Sequence, residues 1–99
     1  MAKPEIINLA RDAARGRKGA FDELCRRKQR DIAFAAYTML GNYHDAEDAA
    51  QETILTMYRY IGKLKAPEAI DVWIEKIVRN RCSEILKKRT GRKDEVDVD

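Results

Sequence analysis

Apolar residues recur every three or four positions through most of this chain, the pattern typical of amphipathic helices. A short helix is predicted over Pro4–Ala14, followed by a basic connector that contains Gly16 and Gly19. A longer helix is predicted from about residue 20 to residue 40. Gly41 and Asn42 predict its end, because both residue types commonly follow a helix C-terminus. Its apolar stripe consists of Phe21, Leu24, Cys25, Ile32, Ala35, Ala36, Met39 and Leu40.

A third helix is predicted to begin with an acidic first turn that contains Asp45 and Asp48, and to reach about Ile61. Negative charge at that position complements the positive end of the helix dipole. At about 100° per residue, one arc of this helix is apolar and is predicted to face the core. The arc consists of Ala46, Ala50, Ile54, Met57, Tyr58 and Ile61.

A loop over residues 62–67 then precedes a fourth predicted helix, which runs from about Glu68 to Thr90. Pro67 suits the first turn of that helix, because a helix start needs no amide donor there. The predicted core stripe of this helix consists of Ile70, Trp73, Ile74, Ile77, Val78 and Ile85.

These patterns predict an all-α fold, a small bundle of three to four helices. At 99 residues the chain has room for a single core. We expect one helical domain over residues 1–90, with its core at about 20–90, and an acidic solvated tail over residues 91–99.

Charge is strongly segregated along the chain. Residues 41–58 carry 4 acidic and no basic side chains, whereas residues 59–93 carry 11 basic and 4 acidic ones. Such a division favours two different partners, of which the one for the basic segment is rich in phosphate.

Neither catalysis nor metal binding is indicated by the sequence. Cys25 and Cys82 stand in apolar stripes without the spacing of a metal site, so buried free thiols are expected. His44 is the only histidine, and no nucleophile triad forms around it. We therefore expect no catalytic residue, no metal and no cofactor.

No segment approaches the roughly 18 apolar residues of a membrane span, so a cytoplasmic protein without membrane contact is expected.

The outward arc of the third helix combines charges with one apolar residue. Asp45, Asp48, Glu52, Leu55 and Arg59 share this arc, with Gln51 at its margin. An apolar side chain ringed by polar groups is typical of a protein-binding surface. The alternative is a dipole-stabilised helix start on a solvated face, with one leucine exposed by chance.

One side of the fourth helix joins cations to short hydrogen-bonding side chains within about 100° of arc, the combination by which helices contact nucleic acid. The set is Lys76, Arg79, Asn80, Ser83 and Lys87. A solvated basic face remains the alternative. Arg81 and Lys88 point nearer the core and are expected to snorkel. Lys63, Leu64 and Lys65 lie just upstream in the loop, and Tyr60 is a candidate stacking platform; Tyr58 is assigned to the core.

Two blocks of sequence together resemble a known family. Asp-Ala-Glu-Asp-x-x-Gln-Glu at residues 45–52 is followed by Trp-Ile-x-x-Ile-x-x-Asn at residues 73–80 and by the basic run Lys87-Lys88-Arg89. In that order and at that distance they resemble domain 2 of bacterial sigma factors of the extracytoplasmic-function type. The resemblance covers residues 20–90.

The resemblance implies two binding surfaces. The third helix would pack on the coiled-coil clamp helices of the beta-prime subunit of core RNA polymerase, through Asp48, Gln51, Glu52, Leu55 and Arg59. The loop and the fourth helix would bind the promoter −10 element, with a flipped base of the single non-template strand held in the loop. The implied DNA-binding set is Tyr60, Lys63, Leu64, Lys65, Lys76, Arg79, Asn80, Ser83 and Lys87.

Several positions depart from the family pattern. Leu64 stands where an aromatic residue is frequent, Glu84 where aspartate is usual, and Lys87 where arginine is usual. These departures leave the preferred −10 sequence open. Family members also carry a second domain that reads the −35 element, so we expect residues 91–99 to begin a linker to such a domain.

Two other functions compete with this interpretation. Asp45-x-x-Asp48 with Glu52, and Glu68-x-x-Asp71, resemble the carboxylate pairs by which all-helical nucleotide pyrophosphatases bind magnesium. Alternatively the chain is an interaction module held by an anti-sigma factor, which would cover the surfaces named above.

Overall fold

A computed structural model describes residues 2–89 and confirms the predicted all-α class, since those residues form helices and no strand. The predicted end of the fourth helix at Thr90 and the predicted tail at 91–99 lie outside the described residues. The α-helices are α1 (Pro4–Ala14), α2 (Lys18–Leu40), α3 (Tyr43–Tyr60) and α4 (Ile70–Arg89), and two 3-10 turns, Ile61–Lys63 and Pro67–Ala69, lie between α3 and α4.

The turn between α2 and α3 is built by two adjacent residues. Gly41 adopts the left-handed conformation at φ 65°, and its amide donates to the Tyr37 carbonyl at 2.7 Å. The Asn42 side chain accepts from the Asp45 amide at 2.9 Å and so caps α3. Because Asn42 provides the cap, α3 begins at Tyr43, before the acidic turn from which the sequence predicted it to start.

Three long helices form the bundle, with neighbouring helices in the chain running in opposite directions. Lys28 of α2 pairs with Asp71 at the start of α4, with 2.8 Å between Nζ and Oδ1. At the other end, Arg89 Nη2 donates to the Leu40 carbonyl at 3.2 Å. Helices α2 and α4 are therefore parallel to each other, and α3 is antiparallel to both. Helix α1 packs on α2 and on the two 3-10 turns.

The core is drawn from all three long helices. Leu24 and Ile32 of α2, Met57 of α3, and Ile70 and Val78 of α4 are among its largest fully buried side chains. Each contributes about 1.5–3 kcal/mol by leaving water. Because these side chains pack against one another, the core fixes the position of α3 relative to α4.

The buried arc of α3 differs from the predicted one, and Tyr58 was wrongly assigned to it. The arc is rotated by about 50° toward Ala49 and Thr53, both fully buried. Thr53 tolerates burial because its hydroxyl donates to the Ala49 carbonyl at 2.8 Å. Tyr58 is consequently 66% exposed.

Three residues of the α2 stripe, Cys25, Ala35 and Met39, are also less buried than predicted. Met39 is exposed, because it lies about 100° around the helix from the buried Leu40. Cys25 is half-buried, since a groove between α2 and α3 reaches its side chain. Cys82 is buried as expected.

Candidate functional site

The outward side of α3 carries an exposed apolar residue among polar ones. Leu55 is 58% exposed, which agrees with its predicted outward position. Asp48, Gln51, Glu52 and Arg59 are exposed as well, whereas Asp45, which was predicted for the same arc, is only partly exposed. We call the surface formed by Asp48, Gln51, Glu52, Leu55 and Arg59 the α3 face.

Unlike the residues of the α3 face, Asp45 is partly covered and forms an ion pair. Its Oδ2 lies 2.6 Å from Arg89 Nη2 and 2.8 Å from Arg89 Nε, in a partly covered ion pair. Since the same guanidinium donates to the Leu40 carbonyl, Arg89 fastens the end of α4 to the turn between α2 and α3. Sequence periodicity gave no sign of this contact, which joins residues 44 positions apart.

A groove of about 580 Å³ separates α3 from α4 along the same side of the bundle. Asp48 and Glu52 line it from α3, and Arg81 and Lys88 line it from α4. Arg81 is mostly covered, as snorkelling predicted, and its Nη2 lies 3.0 Å from Glu84 Oε2. Lys88 is exposed. The acidic α3 face is therefore bordered by cations of α4.

The outward side of α4 brings together the five residues that the sequence placed on one arc. All five are exposed. Arg79 is partly neutralised, with its Nη2 3.3 Å from Glu75 Oε2. Within residues 2–89, Lys76 and Lys87 pair with no carboxylate, so both remain available to phosphate. We call the surface formed by Lys76, Arg79, Asn80, Ser83 and Lys87 the α4 face.

The loop before α4 presents cations around an anchored leucine. Lys63 and Lys65 are exposed, whereas Leu64 is partly buried against the core. Tyr60 is 45% exposed, which agrees with its suggested accessibility. Trp73 packs partly buried against the core, as predicted, and so does not serve as an open stacking platform.

Tyr58, which the sequence assigned to the core, is an exposed aromatic residue. Its ring meets Phe21 edge to face, with 5.5 Å between ring centroids. A groove that reaches the turn between α1 and α2 opens beside it. Its position at the margin of the predicted apolar arc was the available signal.

The arrangement required by the magnesium alternative does not form. Asp45 contacts Arg89 at the end of α4, whereas Asp71 contacts Lys28 at its start, about 27 Å away along the helix. Within residues 2–89, no group of three or more His, Cys, Asp or Glu side chains is placed to hold a metal ion. The described part of the chain therefore gives that alternative no support. In the same part, no helix has the length and apolar character that crossing a membrane requires.

Comparison with known proteins gives a consistent family. The Sigma-70 region 2 family matches residues 24–92. The ECF RNA polymerase sigma factor SigG of Mycobacterium tuberculosis is 31% identical over 85 residues, which cover 86% of this chain and 23% of that protein. SigM of the same species is 33% identical, covering 74% of this chain and 37% of the relative. RNA polymerase sigma-H factor of Pseudomonas aeruginosa is 30% identical over 90 residues, which cover 91% of this chain and 47% of that protein.

The chain thus spans between about a quarter and a half of the length of these relatives. The family match covers α3, the loop and α4, the segments that carry both candidate surfaces. The domain boundaries at 90 and 91 and the roles of the individual surface residues stay predictions. With a family match over most of its length and relatives above 30% identity, the chain belongs to the sigma-70 region 2 family, in the branch of extracytoplasmic-function sigma factors.

Proposed function

We propose that this domain binds core RNA polymerase through the α3 face and the unpaired non-template strand of the promoter −10 element through the α4 face and residues 62–67. The domain would thereby take part in transcription initiation by binding alone, without a catalytic step. The observation that carries the proposal is the presence of two exposed surfaces of opposite chemistry on adjacent helices.

The α3 face has the composition of a small protein interface. Leu55 supplies an apolar anchor, and the polar residues around it supply a rim. A charged rim orients the partner and speeds association more than it adds affinity. The coiled-coil clamp helices of the beta-prime subunit are the proposed partner. An anti-sigma factor that covered the α3 face would prevent polymerase from binding there.

The α4 face suits a single strand with its phosphates exposed. Within residues 2–89, Lys76 and Lys87 pair with no carboxylate. Asn80 and Ser83 lie between them and carry groups that bond bases or sugars. Extruding a base costs a few kcal/mol, which phosphate neutralisation and base contacts along the loop offset. Since Leu64 is partly buried, we propose that Lys63, Lys65 and Tyr60 make most of the loop contacts.

The polymerase surface is tested by Leu55→Asp. We expect loss of association with core polymerase in a pull-down, while the free energy of unfolding changes by less than about 0.5 kcal/mol because the site is exposed. Phe34→Asp is the matched control, since Phe34 is an exposed apolar residue of α2. Normal association of the Leu55 variant would refute the α3 face as the docking surface.

The DNA surface is tested by Lys76→Ala and Lys87→Ala. In fluorescence anisotropy with single-stranded −10 DNA, each change should lower the slope of log affinity against log salt by about 0.7, the value for one phosphate contact on a single strand. Arg30→Ala removes an exposed charge of α2 and should leave the slope unchanged apart from long-range effects. If the lysine variants show the same salt slope as the Arg30 control, the α4 face does not bind the DNA.

A further inference from the structure

A second groove lies at the C-terminal end of α3, where α3 meets the turn between α1 and α2. It encloses about 420 Å³. Gly16 and Arg17 line it from the turn, Lys18 lines it from the start of α2, and Tyr58 and Arg59 line it from α3. Among the described residues, its lining includes three cations and no carboxylate. Two elements far apart in sequence therefore combine into one positive site.

The cations of this groove are largely unneutralised. Within residues 2–89, Lys18 and Arg59 pair with no carboxylate. Arg17 Nη1 lies 3.6 Å from Asp12 Oδ1, a loose contact between exposed side chains. Exposed pairs of this kind are worth less than about 1 kcal/mol, so Arg17 also contributes positive potential.

Tyr58 gives the groove an ordered aromatic wall. The ring is 66% exposed, yet its orientation is held by Phe21, with 68° between the ring planes. A tyrosine that is already oriented loses little conformational entropy when a partner packs on it, and tyrosine is enriched among residues that dominate binding energy. Tyr58 stands three residues after Leu55, one helical turn along the α3 face.

The surface along α3 is therefore graded in charge. Asp48 and Glu52 stand at its start and Leu55 at its middle. Tyr58 and Arg59 stand at its end beside Lys18. From Asp48 to Arg59 the change from negative to positive takes place over about 16 Å. A partner with a uniform charge would be repelled at one end of this surface. The gradient therefore favours a partner with charges of both signs and fixes the orientation in which it binds.

We propose that the polymerase element that docks on the α3 face carries cations opposite Asp48 and Glu52, and a carboxylate side chain that enters the groove between Lys18 and Arg59 against Tyr58. Arg17, Lys18 and Tyr58 thus extend the docking surface beyond the family-implied set and fix the orientation of the partner. This inference rests on the proposed polymerase binding. A protein carboxylate fits better than a phosphate strand, because the groove continues the line of Leu55. It shares no lining residue with the α4 face, and it shares only Gly62, which has no side chain, with the proposed DNA-binding segment at 62–67.

Charge reversal of Lys18 tests the inference. Association of the full chain with core polymerase is followed by surface plasmon resonance at low and high salt. Lys18→Glu should slow association about tenfold at low salt, and the difference should shrink at high salt because rim charges act mainly through screened attraction. Arg30→Glu is the matched control, with the same change of net charge on an exposed position of α2.

Tyr58 is tested through dissociation. Tyr58→Ala should dissociate from polymerase at least about fivefold faster, whereas Tyr58→Phe, which keeps the ring against Phe21, should behave as the unaltered chain does. Thermal unfolding of both variants separates this effect from a loss of folded protein. If Tyr58→Ala dissociates as slowly as the unaltered chain, Tyr58 is not part of the docking surface.

The outcomes distinguish this inference from the function on which it rests. If Leu55→Asp abolishes polymerase association while Lys18→Glu matches Arg30→Glu, the charge gradient is refuted and the α3 face stands. If Leu55→Asp has no effect, the polymerase surface itself is refuted. If Lys18→Glu weakens single-stranded DNA binding and leaves polymerase association unchanged, the groove belongs to nucleic acid and the inference fails.

Discussion

The two thiols illustrate how burial sets chemistry at a single side chain. Burial, together with a smaller effect of the nearby Asp22 carboxylate, raises the pKa of the Cys25 thiol to about 11. Burial also raises the pKa of Cys82. Because the thiolate is the reactive form, both groups are poor nucleophiles at neutral pH.

We therefore expect slow alkylation of both cysteines by iodoacetamide at pH 7–8 in the folded protein, followed by rapid alkylation in denaturant. Cys25, which is half-buried, should react first as the pH is raised toward 11. Mass spectrometry of the modified peptides measures each rate separately. Fast modification of Cys25 at neutral pH would contradict its raised pKa.

Prediction of individual residues succeeded where periodicity alone decides burial. Leu55 was correctly placed outward because its neighbours on the arc are charged. Tyr58 was wrongly assigned to the core in a position where Thr53, which was not considered, is buried instead, since hydrophobicity ranks tyrosine as the better core residue. The structure reverses that order, because a helix carbonyl satisfies the threonine hydroxyl and a small Ala49 stands beside it. Such a choice depends on the facing helix, which the local sequence does not specify.

At the scale of elements, Lys28 links α2 to α4 through a nearly covered ion pair with Asp71. Burial lowers the pKa of Lys28, but contact with the carboxylates of Asp71 and Asp31 outweighs it, so the pKa is raised above 10.5. A raised folded-state pKa means that this pair stabilises the fold fully below pH 10.5. The contribution is lost as the pH rises through the folded-state pKa.

Lys28→Met should therefore lower the thermal unfolding temperature at neutral pH, because it leaves Asp71 without its cation. The difference from the unaltered protein should stay constant up to about pH 10 and shrink above pH 10.5. Calorimetry across pH 7 to 11.5 measures it, and Lys63→Met, at an exposed loop position, is the control. If the difference in unfolding temperature between the two proteins grew with pH, the pKa of Lys28 would be lowered in the folded state and not raised.

The helices themselves were largely predictable, and their ends less so. Proline, glycine and the spacing of apolar residues correctly placed α1 and the end of α2. The predicted starts of α3 and α4 were displaced, because a side-chain cap and a tightened first turn depend on atomic geometry. Helix α4 begins at Ile70 instead of about Glu68, since Pro67–Ala69 form a 3-10 turn. The charged grooves were not predictable either, since each is lined by elements that meet only in the folded chain.

For the whole molecule, the two proposed surfaces occupy different helices of one core. Substitutions on one surface should therefore leave binding at the other intact. Leu55→Asp should retain its single-stranded DNA affinity within about twofold, and Lys76→Ala should retain its polymerase affinity to the same extent, because sites without shared contacts add independently. Anisotropy and plasmon resonance on the same preparations measure both, and loss of both activities from one substitution would indicate misfolding or a shared surface.

Arg89 connects these two helices at the point where their surfaces approach each other, since it extends from α4 to Asp45 and the Leu40 carbonyl. The guanidinium therefore holds the end of α4 against the start of α3. Because Arg89 belongs to neither proposed binding surface, substituting it should loosen this end of the bundle without removing a contact to DNA or to polymerase.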